Sequence, residues 1–533
     1  MRSILLLSDS VNRRFLRMYN EKGIRLPNLE RLAEMSVTFE NHWTASAPCM
    51  PARRDIMTGR VNFLERNWGP IEAFDFTLPQ ALGKGGVTSH MITDHYHYFE
   101  IGGENYCQMF DSWELVRGQE WDPCVSRLRK KEIPEHKGKM VSQYWYNREQ
   151  WKGDEEKYPS AQVMAKAAAW LEEHHDCDDF FLWVEPFDPH EPFDVPEKYL
   201  ELVGDSYEGL LCMWPEYKTI ADAGLDKEAV AHLCKRYLAL LYMTDVYLGE
   251  IFQVMDRHHM WEDTLFIYTT DHGYMLGEHD YMAKNYMPAF NEVFHIPLMV
   301  HLPENRHAGE RIQALTQNID ILPTLMEFYG ISSQVCRNPV HGKSLLPLME
   351  GKAEKVREHA IYGYFGKQMN ITDGRYTYFR SPNQENRPLN LYTTMMTDIR
   401  VYFDYSNISG DNCRISAPEK ITGGQFLKWT PYPVFKVPAD AITDYEDGTL
   451  RYVRLFDWEM EDQLYDLETD YEQENNIIDS QPEVRHRMEE MMKSALMDNN
   501  FGYANALGTF LIIFGISIIF TIRLIFKVGQ SDM

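Results

Sequence analysis

Positive charge is scarce in this sequence. Its 53 Lys and Arg face 80 Asp and Glu, a formal net charge of −27 at pH 7. A polyanion would be repelled, which excludes nucleic acid as a general partner. An anionic substrate would be repelled at long range too, so its site must carry a local positive field from a metal, Arg, Lys or His. Cysteine is sparse and unpatterned: the eight lie at 49, 107, 124, 177, 212, 234, 336 and 413, with no C-x-x-C pair. That spacing excludes a zinc–thiolate framework, and a chain of 533 residues does not need disulfides to fold. Internal repeats are absent. So is a recognisable leader, because residues 4–7 form too short an apolar run, just before Asp9, for a signal-peptide core. A cytoplasmic location is the expectation. Long hydrophobic runs are missing except at one end, where residues 507–522 are almost wholly apolar and are followed by Arg523 and Lys527. A membrane span needs about 20 such residues, and Arg523 can snorkel to an interface. The tail is therefore expected to contact or cross a membrane, with a docked terminal helix as the plainer alternative.

What the chain has in quantity is core-forming material, 44% hydrophobic and 13% aromatic residues. That is enough for a large packed domain with an appendage. Residues 4–7, 87–93, 180–184, 264–269 and 296–300 are apolar, strand-like runs, and residues 78–83, 161–173 and 227–257 carry helical spacing. Alternating buried strands and amphipathic helices predict a parallel sheet with helices on both faces. Acids and histidines cluster just after the strands: Asp9-Ser10, Asp94-His95, Asp188-Pro189-His190 and Asp271-His272-Gly273. Any one alone would read as a turn, a cap or a packed histidine. Open α/β sheets bind ligands at the carboxyl ends of their strands, and the shared position makes these residues candidates. Asp9, Asp271 and His272 offer oxygen and imidazole ligands to one cation. Residues 110–159 are polar, aromatic and charged, and read as an insertion over that face, where loops commonly set specificity. The basic run Arg129-Lys130-Lys131 within it reads as solvated surface. Beyond Val356, residues 361–365, 375–379 and 451–455 read as short strands of a small antiparallel sheet.

These pieces gather around Ala47-Pro48-Cys49-Met50-Pro51-Ala52-Arg53, followed by Met57-Thr58-Gly59-Arg60. The stretch resembles the formylglycine signature of the type I sulfatases, in the alkaline phosphatase superfamily. The likeness extends to Leu26-Pro27-Asn28-Leu29, Asp188-Pro189-His190-Glu191-Pro192-Phe193, Asp271-His272-Gly273 with Gly277-Glu278-His279, and Leu464-Tyr465-Asp466-Leu467, so it covers about residues 4–480. The resemblance implies that Cys49 is oxidised by a formylglycine-generating enzyme and hydrated to a geminal diol. One hydroxyl attacks sulfur and the other expels sulfate, covalent catalysis that splits one hard step in two. It further implies that Arg53 orients the diol, and that Asp9, Asp271, His272 and the modified Cys49 hold one divalent cation, usually calcium. His190 and Lys284 would serve the leaving oxygen, and His95 would assist collapse of the sulfated intermediate. Two residues depart from the pattern: Ser10 stands where the family has a second metal-binding aspartate, and Thr93 where it has a lysine. These leave manganese or magnesium open beside calcium. They also leave open an enzyme with the same nucleophile acting on phosphonate monoesters or phosphodiesters. Outside enzymes, the alternative is a catalytically silent, membrane-anchored binding protein whose Cys49 is never oxidised.

The expected architecture is an alkaline phosphatase-like α/β fold. A large, mainly parallel sheet sandwiched by helices would occupy residues 1–355, an α+β subdomain with a small antiparallel sheet 356–500, and the hydrophobic tail 501–533. The expected activity is hydrolysis of a sulfate ester, and the acidic, aromatic insertion favours a sulfated carbohydrate.

Overall fold

The structure is a computed structural model and describes residues 1–498 apart from 101, 286, 383–388, 398–412, 416 and 445–460. The hydrophobic tail and the strand expected at residues 451–455 lie outside the described residues. An eight-stranded sheet forms the centre. In chain order its strands are β1 (Arg2–Ser8), β2 (Val37–Phe39), β3 (Thr88–Thr93), β4 (Ser112–Leu115), β5 (Phe180–Glu185), β6 (Thr264–Thr270), β7 (Leu298–His301) and β8 (Arg311–Ile312). Across the sheet they run β8-β2-β7-β6-β1-β5-β3-β4. Neighbours are parallel except at β7, which runs against both β2 and β6.

β1 is buried along its whole length, and its side chains alternate between two cores. Ile4 and Leu6 join Leu182, Val184, Phe266 and Tyr268 under the helices Pro159–Glu173 and Lys227–Arg257. Leu5 and Leu7 join Phe181, Trp183, Leu265 and Ile267 against the helices Cys49–Thr58, Leu78–Lys84 and Ile321–Phe328. Burial on both faces is why these strands read as unbroken apolar runs instead of alternating ones. The expected α/β architecture is the one observed. Among the described residues, only the helix Lys227–Arg257 is long and apolar enough to cross a membrane. Its Leu233, Tyr237, Leu240, Leu248 and Ile251 are committed to the core instead.

Two features differ from the sequence reading. The segment 110–159 is not wholly an insertion, because β4 adds an edge strand to the sheet beside β3. A second sheet orders Gln463–Asp466, Tyr376–Arg380, Met369–Thr372, Ala360–Tyr364 and Ser46–Ala47. Its first four strands are antiparallel, as expected. The fifth is parallel and comes from just before Cys49, with Gly363 facing Ser46 and Tyr364 facing Ala47. The change near Val356 thus separates stretches of sequence but not sheets.

Candidate active site

Strand direction builds the site. β1, β3, β5 and β6 are parallel, so the residues that follow them emerge along one edge: Asp9, Asp94-His95, Glu185 with the loop to His190, and Asp271-His272. The helix Cys49–Thr58 enters at the same edge with Cys49 as its first residue, where the unpaired N–H groups of a helix start favour negative charge. Gly273 keeps the turn after His272 open. A Cβ there would lie 1.9 Å from the Glu292 carbonyl oxygen, so only glycine fits.

The side chains converge. One ligand atom from each of Asp9, Cys49, Asp271 and His272 lies within 4.8 Å of the others, and all four residues are buried. His272 donates Nδ1–H to the Gly273 carbonyl at 2.8 Å, which leaves Nε2 as its ligand atom. That nitrogen is 3.3 Å from Cys49 Sγ and 3.2 Å from Asp271 Oδ2. Two carboxylates and one imidazole beside position 49 fit a hard or borderline divalent cation. Ser10, in the left-handed region at φ 64°, orients both carboxylates. Its hydroxyl donates to Asp9 Oδ1 at 2.6 Å and its N–H to Asp271 Oδ1 at 3.0 Å.

Arg53 is one helical turn from Cys49 and wholly buried. Its fork reaches three carboxylates on three strand ends: Nε to Glu185 at 2.5 Å, Nη1 to Asp271 at 2.5 Å and Nη2 to Asp9 at 2.8 Å. Burial opposes its charge, but Glu185, Asp271 and Asp9 together hold its pKa well above the ordinary value. The converse holds at Asp9. Burial pushes that carboxyl up and is outweighed by the charges of Arg53 and Lys284, which hold it well below the usual range. Burial and the neighbouring Asp9 push the Cys49 thiol well up. An unmodified Cys49 is therefore a protonated thiol, unlike the low-pKa thiolate of a cysteine nucleophile.

Lys284 follows the short strand Tyr281–Ala283 and is buried. Its Nζ is 3.4 Å from Cys49 Sγ, 3.3 Å from Ser10 Oγ and 3.9 Å from Asp9 Oδ1. Burial works against its charge, yet Cys49, Glu191 and Asp9 raise its pKa above normal. His190 stacks on Phe187 with ring centroids 3.9 Å apart and donates Nδ1–H to the Glu191 carbonyl. Burial lowers its pKa, so the ring is neutral. His95 is buried with no hydrogen-bond partner on either nitrogen, and Nε2 stands 3.6 Å from Asp9 Oδ2. Burial and Arg53 keep it neutral as well. Thr93, at the position where the resemblance leads to a lysine, accepts the His95 N–H at 2.9 Å and so shapes that loop.

Asp9, Cys49, Arg53, His95, His190, Asp271, His272 and Lys284 thus share one edge of the sheet. Sequence reasoning assigned no role to three buried acids beside them. Glu185 accepts from Arg53, from the Tyr98 hydroxyl at 3.2 and 3.1 Å, and from Trp183 Nε1 at 3.0 Å. Burial still pushes it up to about 7. Its only local signal is a charge that directly ends an apolar run. Asp94 ties loops together by accepting from Phe187 N at 2.7 Å, Gln119 Nε2 at 2.8 Å and Ser160 Oγ at 3.1 Å. Glu191 lies against Lys284 at 3.7 Å.

The sulfatase family model matches residues 3–331, more than half of the chain. The chain belongs to the sulfatase family. It is 25% identical over 392 residues to the multifunctional alkaline phosphatase superfamily protein PehA of Trinickia caryophylli, covering 64% of this chain and 75% of that one. It is 22% identical over 443 residues to the N-acetylglucosamine-6-O-sulfatase of Bacteroides thetaiotaomicron, covering 68% and 74%. The phosphonate monoester hydrolase of Agrobacterium radiobacter has a similar fold, with a TM-score of 0.63 at 17% identity over 95% of this chain and 97% of that one. The sulfatase match spans every strand and helix that delivers a site residue, and the second sheet lies largely beyond it.

Proposed function

We propose that this sulfatase hydrolyses the sulfate ester of a carbohydrate, with formylglycine at position 49 and one divalent cation. The observation that carries the reading is the convergence of Asp9, Asp271, His272 and Cys49 within 4.8 Å. Those four positions would hold the cation, which when bound acts as a Lewis acid on a sulfate oxygen. As a hydrated formylglycine, position 49 supplies one hydroxyl for attack on sulfur and another for release of sulfate.

The chain's other groups divide the remaining work. Arg53 braces Asp9 and Asp271 from behind. Lys284 is charged and 3.4 Å from Cys49 Sγ, so it provides the local positive field that a chain of net charge −27 needs to hold an anion. Of the two residues assigned to the leaving oxygen, Lys284 is the proton donor. His190 is neutral and its Nδ1 proton is committed to a backbone carbonyl, so its Nε2 can only accept, and it receives a hydrogen bond from the leaving hydroxyl once Lys284 has protonated it. His95, neutral and without a hydrogen-bond partner, accepts the proton of the second hydroxyl. A saccharide substrate is supported by the kinship to an N-acetylglucosamine-6-O-sulfatase.

The test is desulfation of p-nitrophenyl sulfate and of a panel of mono- and disaccharide sulfates by protein co-expressed with a formylglycine-generating enzyme. Activity is expected, and its loss in Cys49→Ala. A second reading, hydrolysis of phosphonate monoesters or phosphodiesters, is favoured by Ser10 in place of a carboxylate and by Thr93 in place of a lysine. A higher kcat/KM on p-nitrophenyl phenylphosphonate than on the aryl sulfate would put that reading first.

A further inference from the structure

The Lys284 side of the site carries a carboxylate that the reaction itself does not use. Glu191 is 2% exposed. Its Oε1 accepts from the Tyr217 hydroxyl, while Oε2 lies 3.7 Å from Lys284 Nζ and 3.4 Å from His190 Nδ1. Oε2 has no hydrogen-bond partner, and neither has the buried hydroxyl of Tyr274. Glu120, also buried, is paired with His97 at 2.8 Å, whose pKa it helps to raise to about 9, so its charge is spent on that pair. A buried carboxylate oxygen left without a donor is costly, and only a donor can satisfy it. Lys284 Nζ is itself 3.4 Å from Cys49 Sγ. Glu191 therefore stands one side chain away from the nucleophile, within reach of the alcohol portion of an ester bound there.

Resting on the sulfatase reading, we infer that Glu191 selects the substrate: the alcohol portion presents an ammonium donor to Oε2 and bears no second anion beside the ester. The substrate class is a monosulfated amino sugar with a free amine. Saccharides with an N-sulfate or a uronic acid next to the ester are rejected, because Glu191 meets the added charge at close range. The net charge of −27 repels each added anion at long range as well.

The test compares three esters sulfated on the same hydroxyl: glucosamine with a free amine, glucose with a hydroxyl in its place, and glucosamine with an N-sulfate. Each ring position that the enzyme accepts is taken in turn, below neutral pH so that the amine is protonated, with p-nitrophenyl sulfate alongside. The expected order of kcat/KM is amine, hydroxyl, N-sulfate. The first step is about tenfold, since a charge-assisted hydrogen bond is roughly twice as strong as a neutral one. Glu191→Gln also disturbs Lys284 and slows every ester, so the readout is the ratio of amine to hydroxyl, which should collapse toward unity. Should the variant be inactive, the wild-type order decides. Turnover of the N-sulfate as fast as the free amine, or a ratio unchanged in Glu191→Gln, overturns the inference while p-nitrophenyl sulfate is still hydrolysed. Failure on every sulfate ester, the aryl one included, overturns the sulfatase reading and this inference with it.

Discussion

Arg53→Lys keeps a positive charge at the base of the site but removes the fork, and the structure sets the size of the effect. The guanidinium makes three charge-assisted hydrogen bonds at 2.5, 2.5 and 2.8 Å to Glu185, Asp271 and Asp9. These acids sit on three different strand ends, and a single ammonium on a flexible stem can serve about one of them. Each hydrogen bond to a charged group is worth about 1.5–3 kcal/mol, so two lost bonds cost about 3–6 kcal/mol. Folded domains hold only about 5–15 kcal/mol in total. A cation bound by Asp9 and Asp271 adds about 2.7 kcal/mol at a concentration of 100 times its Kd to any protein that binds it with that Kd, so it raises both proteins without closing the gap between them. The assay is urea unfolding of wild type and variant, in chelator and in saturating divalent cation, with midpoints converted through the denaturant slope. Arg53→Lys should lose about 3–6 kcal/mol in chelator and at least as much with the cation, because the acids that hold it are no longer braced. A loss under about 1 kcal/mol in chelator would refute the view of Arg53 as the brace of the metal-binding acids.

Other expectations follow from the same site and its supports. Co-expression with a formylglycine-generating enzyme should lighten the peptide containing Cys49 by about 18 Da in mass spectrometry, as exchange of thiol for aldehyde requires; an unchanged mass under those conditions counts against the modification. Calorimetry on chelator-treated protein should read a single cation per chain, abolished by Asp271→Asn; full binding by that variant would remove Asp271 from the ligand set. Gly273→Ala must displace the Asp271-His272 turn, because the new Cβ would meet the Glu292 carbonyl at 1.9 Å; cation affinity should fall about tenfold or more, and wild-type affinity would contradict that crowding. Asp55 is buried and burial pushes its carboxyl up to about 8, against about 3.9 in the unfolded chain. The folded state therefore holds that proton more tightly, so its contribution is full below about pH 4 and is lost as the pH rises through about 8. Asp55→Asn should flatten the fall in unfolding free energy between about pH 5 and pH 8, and an equal slope in both proteins would show that Asp55 is not its source.

Legibility varied with the kind of contact. The helix read at residues 227–257 has those same bounds in the structure, because its apolar spacing runs unbroken into the core. Strands β1, β5 and β6 were visible as continuous apolar runs because both of their faces are buried. The edge strand β4 was not, since Ser112–Leu115 is exposed or half-buried and lies in a polar stretch. Nor was the parallel pairing of Ser46–Ala47 with Ala360–Tyr364, a contact between residues more than three hundred positions apart with no local trace. Glu185 carries no motif, yet it takes one arm of Arg53.

By itself the sequence settled which chemical groups stand at the strand ends, and in what order. That information is local: hydrophobic period, strand length and the residue that follows each run are all written within a few positions. Only the tertiary structure decided which atoms meet, including the fork of Arg53 on three acids and the bare oxygen of Glu191 beside Lys284. Those contacts depend on the strand order β6-β1-β5-β3 and on how the nucleophile helix packs against it. Strand order and packing are properties of the assembled core, and they bring together Asp9 and Asp271 through neighbouring strands that no short stretch of chain could join.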